Sequence, residues 1–384
     1  MAKEYLVATP GPVPIHKDVR AAMCQPITNP DLDPAFYEFY KETCEKIQLI
    51  MKTKNQVLIL CGEGILGLEA ACASIIEPGD RILCLDNGIF GRGFVDFAKM
   101  YGAEVTHLTF NYRNPISVKE LELFLEKDSN FKAATFVHCE TPSGITNSAE
   151  AIGKLLRKFN ILSIMDSVSA AGGEDLEVDE WGLDLVLVGS QKCFSAAPGL
   201  TFLSISDKAW KSIENRCLPI SGFYLNLTIW KNWYEKKSFP YTQPISDIYG
   251  LSKAADRIIE DNDFKERHKR ISASVRSSFI ANGYKLYPSS GFSNTVTAIE
   301  IPAGIDFHKF FNLMLEEGVI IAGSLKELSG KVFRIGHMGE SCQKDHIEKV
   351  LATIDSVMKK IYDAEGLALA VTFNLAEYFK NSAI

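Results

Sequence analysis

The sequence predicts an α/β protein, with a mainly parallel seven-stranded sheet sandwiched by helices and a smaller C-terminal α+β domain. Three observations carry the prediction. Seven short apolar runs alternate with amphipathic segments between about residues 55 and 205, as strands covered by helices on both faces do. After about residue 255 this alternation gives way to a long helical pattern followed by mixed strands and helices. The 384 residues also exceed what one ordinary core accommodates. The division expected is an N-terminal segment, 1–17, packing between the domains, a large ligand-binding domain, 18–255, and a small domain, 256–384.

The strands are expected at residues 57–60, 81–85, 104–108, 133–137, 161–165, 184–188 and 201–205. Among the intervening helices, Ser148 stands where a cap belongs, and Ile152, Leu155, Leu156 and Phe159 recur at helical spacing. Further on, the pattern predicts a helix over 263–282, a strand over 294–301, a helix over 307–317, a strand over 332–335 and helical sequence from Lys344 onward. In a parallel sheet of this kind ligands sit at the carboxyl ends of the strands.

Composition narrows the function classes. A hydrophobic share of 46% and a charged share of 23% describe a soluble globular protein. The net charge of -7 offers no electrostatic footprint for nucleic acid. The densest basic run, Lys265-Glu266-Arg267-His268-Lys269-Arg270, mixes signs at i,i+4 spacing and reads as a solvated helix face. No stretch approaches the roughly 20 apolar residues of a membrane span, and the first residues lack a signal-peptide pattern. The cysteines number nine, with no C-x-x-C spacing, which favours reduced thiols in the cytoplasm. The seven histidines contain no H-x-x-x-H pair, so no metal site is expected.

Two residues point to imine chemistry. Lys192 follows the apolar run at 184–188, and Asp166 ends the run at 161–165. A partly desolvated lysine favours the neutral amine that attacks an aldehyde. A neighbouring carboxylate can hold a protonated pyridine nitrogen and turn the ring into an electron sink. Alone, each residue also reads as ordinary strand-end punctuation. Gly62-Glu63-Gly64-Ile65-Leu66-Gly67 follows a strand and opens a helix whose apolar stripe is Ile65, Leu68, Cys72, Ile75 and Ile76. Taken literally it is G-x-G-x-x-G with Asp86 near the spacing of a ribose-binding acid, so a dinucleotide reading stands as a rival. It also reads as an anion cup at a helix N-terminus, but Glu63 would oppose a phosphate about 5 Å away by about 3 kcal/mol per unit charge product at an effective dielectric of about 20. Either Glu63 disfavours phosphate, or it complements the helix dipole from the rim. Phe90, in Asn87-Gly88-Ile89-Phe90-Gly91, is placed to stack on a flat ring or to pack in the core. Thr141, in a Thr-Pro-Ser-Gly turn, is a candidate donor to a ring hydroxyl. Arg334 suits bidentate capture of a carboxylate, or an interdomain ion pair.

Together these residues resemble the class V branch of fold type I pyridoxal-phosphate aminotransferases, from Pro10-Gly11-Pro12 to Arg334-Ile335-Gly336. Alanine–glyoxylate and serine–pyruvate aminotransferases look like relatives. The strongest resemblance is to the pyridoxamine–pyruvate branch, through Gly67-Leu68-Glu69-Ala70-Ala71, Thr141-Pro142-Ser143-Gly144, Pro198-Gly199-Leu200 and Arg334-Ile335-Gly336-His337-Met338-Gly339. The resemblance gives Lys192 the internal aldimine and the Cα proton, Asp166 the ring nitrogen, Val168 the position under the ring and Phe90 the stack over it. Glu63, Gly64, Ile65, Thr141 and Gln191 join them at the cofactor, and Arg334 matches the clamp on the substrate carboxylate. Thr242 matches a residue lent by another subunit, which implies a homodimer with shared sites.

Departures refine the expectation. Conventional members carry a small hydroxyl residue where Glu63 stands and a phosphate-binding tyrosine about where Phe239 stands. Both losses resemble the pyridoxamine–pyruvate branch, in which the glutamate faces a free hydroxymethyl group. Gln191 and Thr242 keep a phosphate-friendly character, and Leu325 replaces that branch's second carboxylate-binding arginine. The activity this implies is amino transfer from pyridoxamine to pyruvate, giving pyridoxal and L-alanine. The pyridoxal group is either pyridoxal 5'-phosphate or an unphosphorylated vitamer bound at Lys192 as substrate. Alternatives are a conventional alanine–glyoxylate or serine–pyruvate aminotransferase, a lyase on the same scaffold, for which Cys193 is a poor nucleophile, and the dinucleotide-binding oxidoreductase.

Overall fold

The seven apolar runs form seven strands of one sheet in the computed structural model, which describes residues 4–382. Residues 1–3 of the expected N-terminal segment and 383–384 of the expected small domain lie outside the described residues. The strands are β1 (Gln56–Cys61), β2 (Arg81–Asp86), β3 (Glu104–Thr109), β4 (Ala133–Val137), β5 (Leu162–Asp166), β6 (Leu185–Gly189) and β7 (Leu200–Ile205). Their order is β1-β7-β6-β5-β4-β2-β3. Strands β4 to β7 are buried along their whole length, which explains why they read as continuous apolar runs rather than alternating ones. Strand β7 runs antiparallel to both β6 and β1, while the paired strands from β6 to β3 are parallel. The carboxyl ends of β2, β4, β5 and β6 therefore share one edge.

Helix α1 (Gly64–Ile75) follows β1 and is buried on more than the expected stripe. Gly67, Ala70 and Ala71 are buried along with Leu68 and Cys72, because small side chains let α1 lie close to the sheet while Ser74 Oγ reaches Leu225 O on its other side at 3.0 Å. Ile65, expected in the stripe, is instead 44% exposed, since the first turn of α1 projects beyond the sheet. Helix α2 (Ile89–Met100) follows β2, and α3 (Ala149–Lys158) precedes β5. Ser148 occupies the cap position of α3 as expected, but its side chain makes no capping hydrogen bond. The helix is held instead by its buried face of Ala149, Ile152, Leu155 and Leu156.

A second apolar cluster forms farther along the chain. It joins Ile271, Val275 and Phe279 of α4 (Phe264–Ala281), Phe310 and Met314 of α5 (Phe307–Glu316), and the inner face of α6 (Lys344–Glu365). These helices pack with an antiparallel sheet in the order β8 (Val296–Glu300), β10 (Val332–Gly336), β9 (Ala322–Gly323). Near the N-terminus, Leu6–Val7 pairs in parallel with Val319–Ile320. Ala8 O then accepts from Gly336 N at 2.8 Å, and Val13 N donates to Gln191 O at 3.2 Å. This short segment thus touches both clusters.

Gly336 has no room for a larger side chain, since a Cβ there would lie 2.2 Å from Thr9 O. Backbone cannot rotate away as a side chain can. Gly336→Ala should therefore destabilise the protein by about 1–3 kcal/mol, read as a lower urea midpoint at unchanged slope. An unchanged midpoint would show that the N-terminal segment is free to move off β10.

Candidate active site

Lys192 lies just beyond β6, and burial makes its amine easier to deprotonate, helped by the nearby Arg334 guanidinium and opposed by Asp166. Nζ donates to Pro10 O at 2.5 Å. Gly11 is required beside it, because its φ of +97° is left-handed and a Cβ would lie 2.7 Å from Nζ. Asp166 ends β5 and accepts Val168 N at 2.8 Å. Burial pushes its carboxyl up to about 6, with Val168 N–H and Lys192 holding it lower and Glu63 adding to the rise. Val168 fits between two glycines: a Cβ on Gly64 would lie 2.9 Å from its Cγ2, and one on Gly189 would lie 3.1 Å from its Cγ1.

Of the residues predicted from sequence, Glu63, Gly64, Ile65, Phe90, Asp166, Val168, Gln191 and Lys192 line one cleft of about 120 Å³. Leu68, read from the sequence only as part of the helix stripe, and Ser169, not read at all, line it too. Thr141 is buried one step behind, with Oγ1 hydrogen-bonded to Ser169 Oγ at 2.5 Å. Arg334 comes from β10 and is largely buried, which lowers its guanidinium to about 10 and leaves it charged at neutral pH. Its Nε and NH2 donate to Gly323 O at 2.8 and 2.6 Å, and its NH1 to Thr141 O at 3.4 Å. Leu325 is 41% exposed, next to Ser324, whose Oγ donates to Pro142 O at 2.7 Å.

Glu63 both lines the cleft and caps α1, so the two sequence readings coincide. Its Oε1 accepts Ile65 N at 3.1 Å, and its Oε2 accepts Gln191 Nε2 at 3.4 Å. Gln191 Oε1 is buried without a partner. The first turn of α1 therefore already carries an anion where an anion cup would hold phosphate.

Two expected residues are not brought to the cleft of this chain. Phe239 is buried between Tyr37, stacked at 4.7 Å, and Trp233, stacked at 5.3 Å. These ring faces bury more apolar surface than a polar cleft mouth would. Thr242 is exposed on the following stretch and does not line the cleft.

The rival readings lose their residues as well. Asp86 is buried and accepts from His107 Nε2, Tyr112 OH and Gly88 N at 2.7, 2.8 and 3.0 Å, so it is not presented to a ribose. Cys193 is buried, and burial pushes its thiol well above the ordinary range, which disqualifies it as a lyase nucleophile. One residue was missed altogether. Glu140 is completely buried, accepts Gly91 N at 2.5 Å and Phe90 N at 3.2 Å, and is pushed up to about 8 by burial. Gly88 and Gly91, three apart at the start of α2, were its only trace in the sequence.

The ring end of pyridoxal fits these residues: a buried acid for the nitrogen, Val168 and Phe90 along a narrow slot, and an amine that burial makes nucleophilic. The phosphate end fits less well, because Ile65 N–H is already bonded to a carboxylate.

Comparison with known proteins agrees. The family model for class-V aminotransferases matches residues 27–323. An uncharacterized aminotransferase of Methanocaldococcus jannaschii is 32% identical over 365 residues, 94% of each chain. The pyridoxamine–pyruvate transaminase of Mesorhizobium japonicum is 31% identical over 376 residues, 96% of this chain and 94% of the relative. The crystal structure of ureidoglycine–glyoxylate aminotransferase from Bacillus subtilis matches with a TM-score of 0.93 at 30% identity, over 99% of both chains. With its strand-end lysine and acid set in a fold shared end to end with these enzymes, the chain belongs to the class-V aminotransferases, a family that uses pyridoxal 5'-phosphate.

Proposed function

We propose that the protein transfers an amino group from free pyridoxamine to pyruvate, giving pyridoxal and L-alanine, as a cytoplasmic homodimer with Thr242 lent across the interface. The observation that carries this reading is Glu63 at the first turn of α1, bonded to Ile65 N and Gln191 Nε2. A carboxylate there accepts a hydrogen bond from a hydroxymethyl group and repels a phosphate. A relative over 96% of the chain bears the name of this reaction.

The chain's own groups supply the steps. Asp166, ionised, holds the proton on the pyridine nitrogen. Val168 and Phe90 would flank the ring, and Ser169, backed by Thr141 through its hydroxyl, would offer a hydroxyl to it. The bound pyridine ring supplies an electron sink. Lys192 Nζ takes a proton from the donor carbon and returns one to the acceptor carbon, and burial makes the neutral form it needs accessible. Arg334 binds the pyruvate carboxylate with its charge, while Gly323 O fixes the guanidinium plane. A conventional reaction with pyridoxal 5'-phosphate and glyoxylate is the second reading, favoured by Gln191, whose Nε2 would serve a phosphate if Glu63 turned away.

Purified protein supplied with pyridoxamine and pyruvate, and no phosphate ester, should form pyridoxal and alanine in equal amounts over many turnovers. Activity only with pyridoxal 5'-phosphate and an amino-acid donor would select the second reading. In that assay Lys192→Ala should lose at least about 100-fold in turnover while keeping the wild-type unfolding midpoint; sustained turnover would remove its role. Glu63→Ser should shift the ratio of affinities toward pyridoxal 5'-phosphate over pyridoxal by about tenfold or more, and an unchanged ratio in equilibrium dialysis would place Glu63 outside recognition. Because Asp166 must be ionised and its carboxyl sits at about 6, kcat/KM for pyridoxamine should fall roughly tenfold per pH unit below that value. A flat profile from about pH 5 to about pH 7 would contradict the assignment.

A further inference from the structure

Glu140 has no part in the steps above, yet it is fully buried within the loops that build the cleft. It stands in the short hairpin Cys139–Glu140 paired with Ile145–Thr146, directly after β4. Its side chain crosses to the neighbouring strand's loop and receives Gly91 N at 2.5 Å and Phe90 N at 3.2 Å. Those N–H groups open α2, where a helix has no partners of its own, and the residue at the cap position, Gly88, has no side chain to offer. The vacancy at Gly88 is needed: a Cβ there would lie 2.5 Å from Glu140 Cδ. Gly91 is as tight, with a Cβ falling 2.9 Å from Leu85 O. One carboxylate thus caps α2 from another element and takes hold of the backbone of the residue whose ring lines the cleft.

We infer that Glu140 is a positioning residue that fixes Phe90 over the bound pyridine ring. The inference rests on the reading that Phe90 contacts that ring. Both carboxylate oxygens accept, so the Phe90 backbone is held from two adjacent N–H groups, and the aromatic side chain starts from a fixed point. The next residue, Thr141, is bonded through Oγ1 to Ser169 in the cleft and through its carbonyl to Arg334. A glutamine keeps the size of the side chain but points its amide N–H at one of the two N–H donors, so one hydrogen bond becomes a repulsion.

Dissociation constants for pyridoxal and for pyridoxal 5'-phosphate, measured by equilibrium dialysis on the wild type, Glu140→Gln, Phe90→Leu and the double variant, test this. Each single variant should weaken binding of both ring forms by about tenfold, and the double variant should be no weaker than Phe90→Leu alone, because one residue acts through the other. The KM for pyruvate should stay at the wild-type value in Glu140→Gln, which general loosening of the site would not allow. Wild-type affinity in Glu140→Gln, multiplied losses in the double variant, or a parallel rise in the pyruvate KM would each overturn the inference. If Glu140→Gln does not fold, Gly88→Ala pushes the carboxylate off the N–H groups, and the same Phe90-dependent loss is expected; wild-type affinity there would overturn it equally. Failure of pyridoxamine as a substrate is separable, since it alters the choice between the two ring forms and not the loss common to both.

Discussion

Burying acidic side chains at the carboxyl edge of the sheet is the constraint on which the rest of the structure depends. Three carboxylates stand there on three adjacent strands: Asp86 ends β2, Glu140 follows β4 and Asp166 ends β5. All three are buried, and the Asp86 and Asp166 charges help raise Glu140. Each is met by backbone N–H groups of a loop at the same edge: Gly88 N for Asp86, Phe90 and Gly91 N for Glu140, Val168 N for Asp166. At Glu140 and Asp166 these bonds oppose the rise that burial causes. They also dictate the loops. Backbone must approach each carboxylate closely, and glycine is the residue that leaves the space at 88 and 91.

Lys192, one strand farther on, sets an amine beside this row, and its surroundings come from both the N-terminal segment and β10. The N-terminal segment supplies Pro10 O to Nζ and is itself tied to β10 through Ala8 O and Gly336 N. Arg334 of β10 lowers the lysine further by like charge and reaches back to the Thr141 carbonyl. The amine is thus poised between an acid that favours its charge and a guanidinium that opposes it. A shift in the small cluster would be felt at Nζ without any change in the residues lining the cleft.

Strands β4 to β7 were legible because burial on both faces leaves an unbroken apolar run, and the helices because one-sided burial leaves a periodic one. The direction of β7 was not legible: Leu200–Ile205 is buried at every residue, and an apolar run carries no sign of which way it points. Asp166 and Lys192 could be read because they lie at strand ends, where position follows from local sequence, whereas Val168 came only from the resemblance. Glu140 could not, since its partners are 49 and 50 residues away and its own neighbourhood reads as a turn. The packing of Phe239 was illegible for a related reason. Its fate is decided by Tyr37 on a distant helix and by Trp233, and no local pattern around it reports those faces.

The division of labour within the cleft explains how one fold serves relatives whose names carry different donors and acceptors. Asp166, the Lys192 amine and the Phe90 backbone are held by strand ends and by hydrogen bonds within the protein. Glu63 and Leu325 are different. Glu63 sits exposed at the first turn of α1, and Leu325 sits half out of the protein beside Ser324. Both positions border solvent, so a substitution at Leu325 costs the fold little and one at Glu63 costs chiefly the cap on α1. In the proposed reaction, selectivity for the far end of the ring is set by Glu63 at this rim, while the buried groups beneath it stay constant.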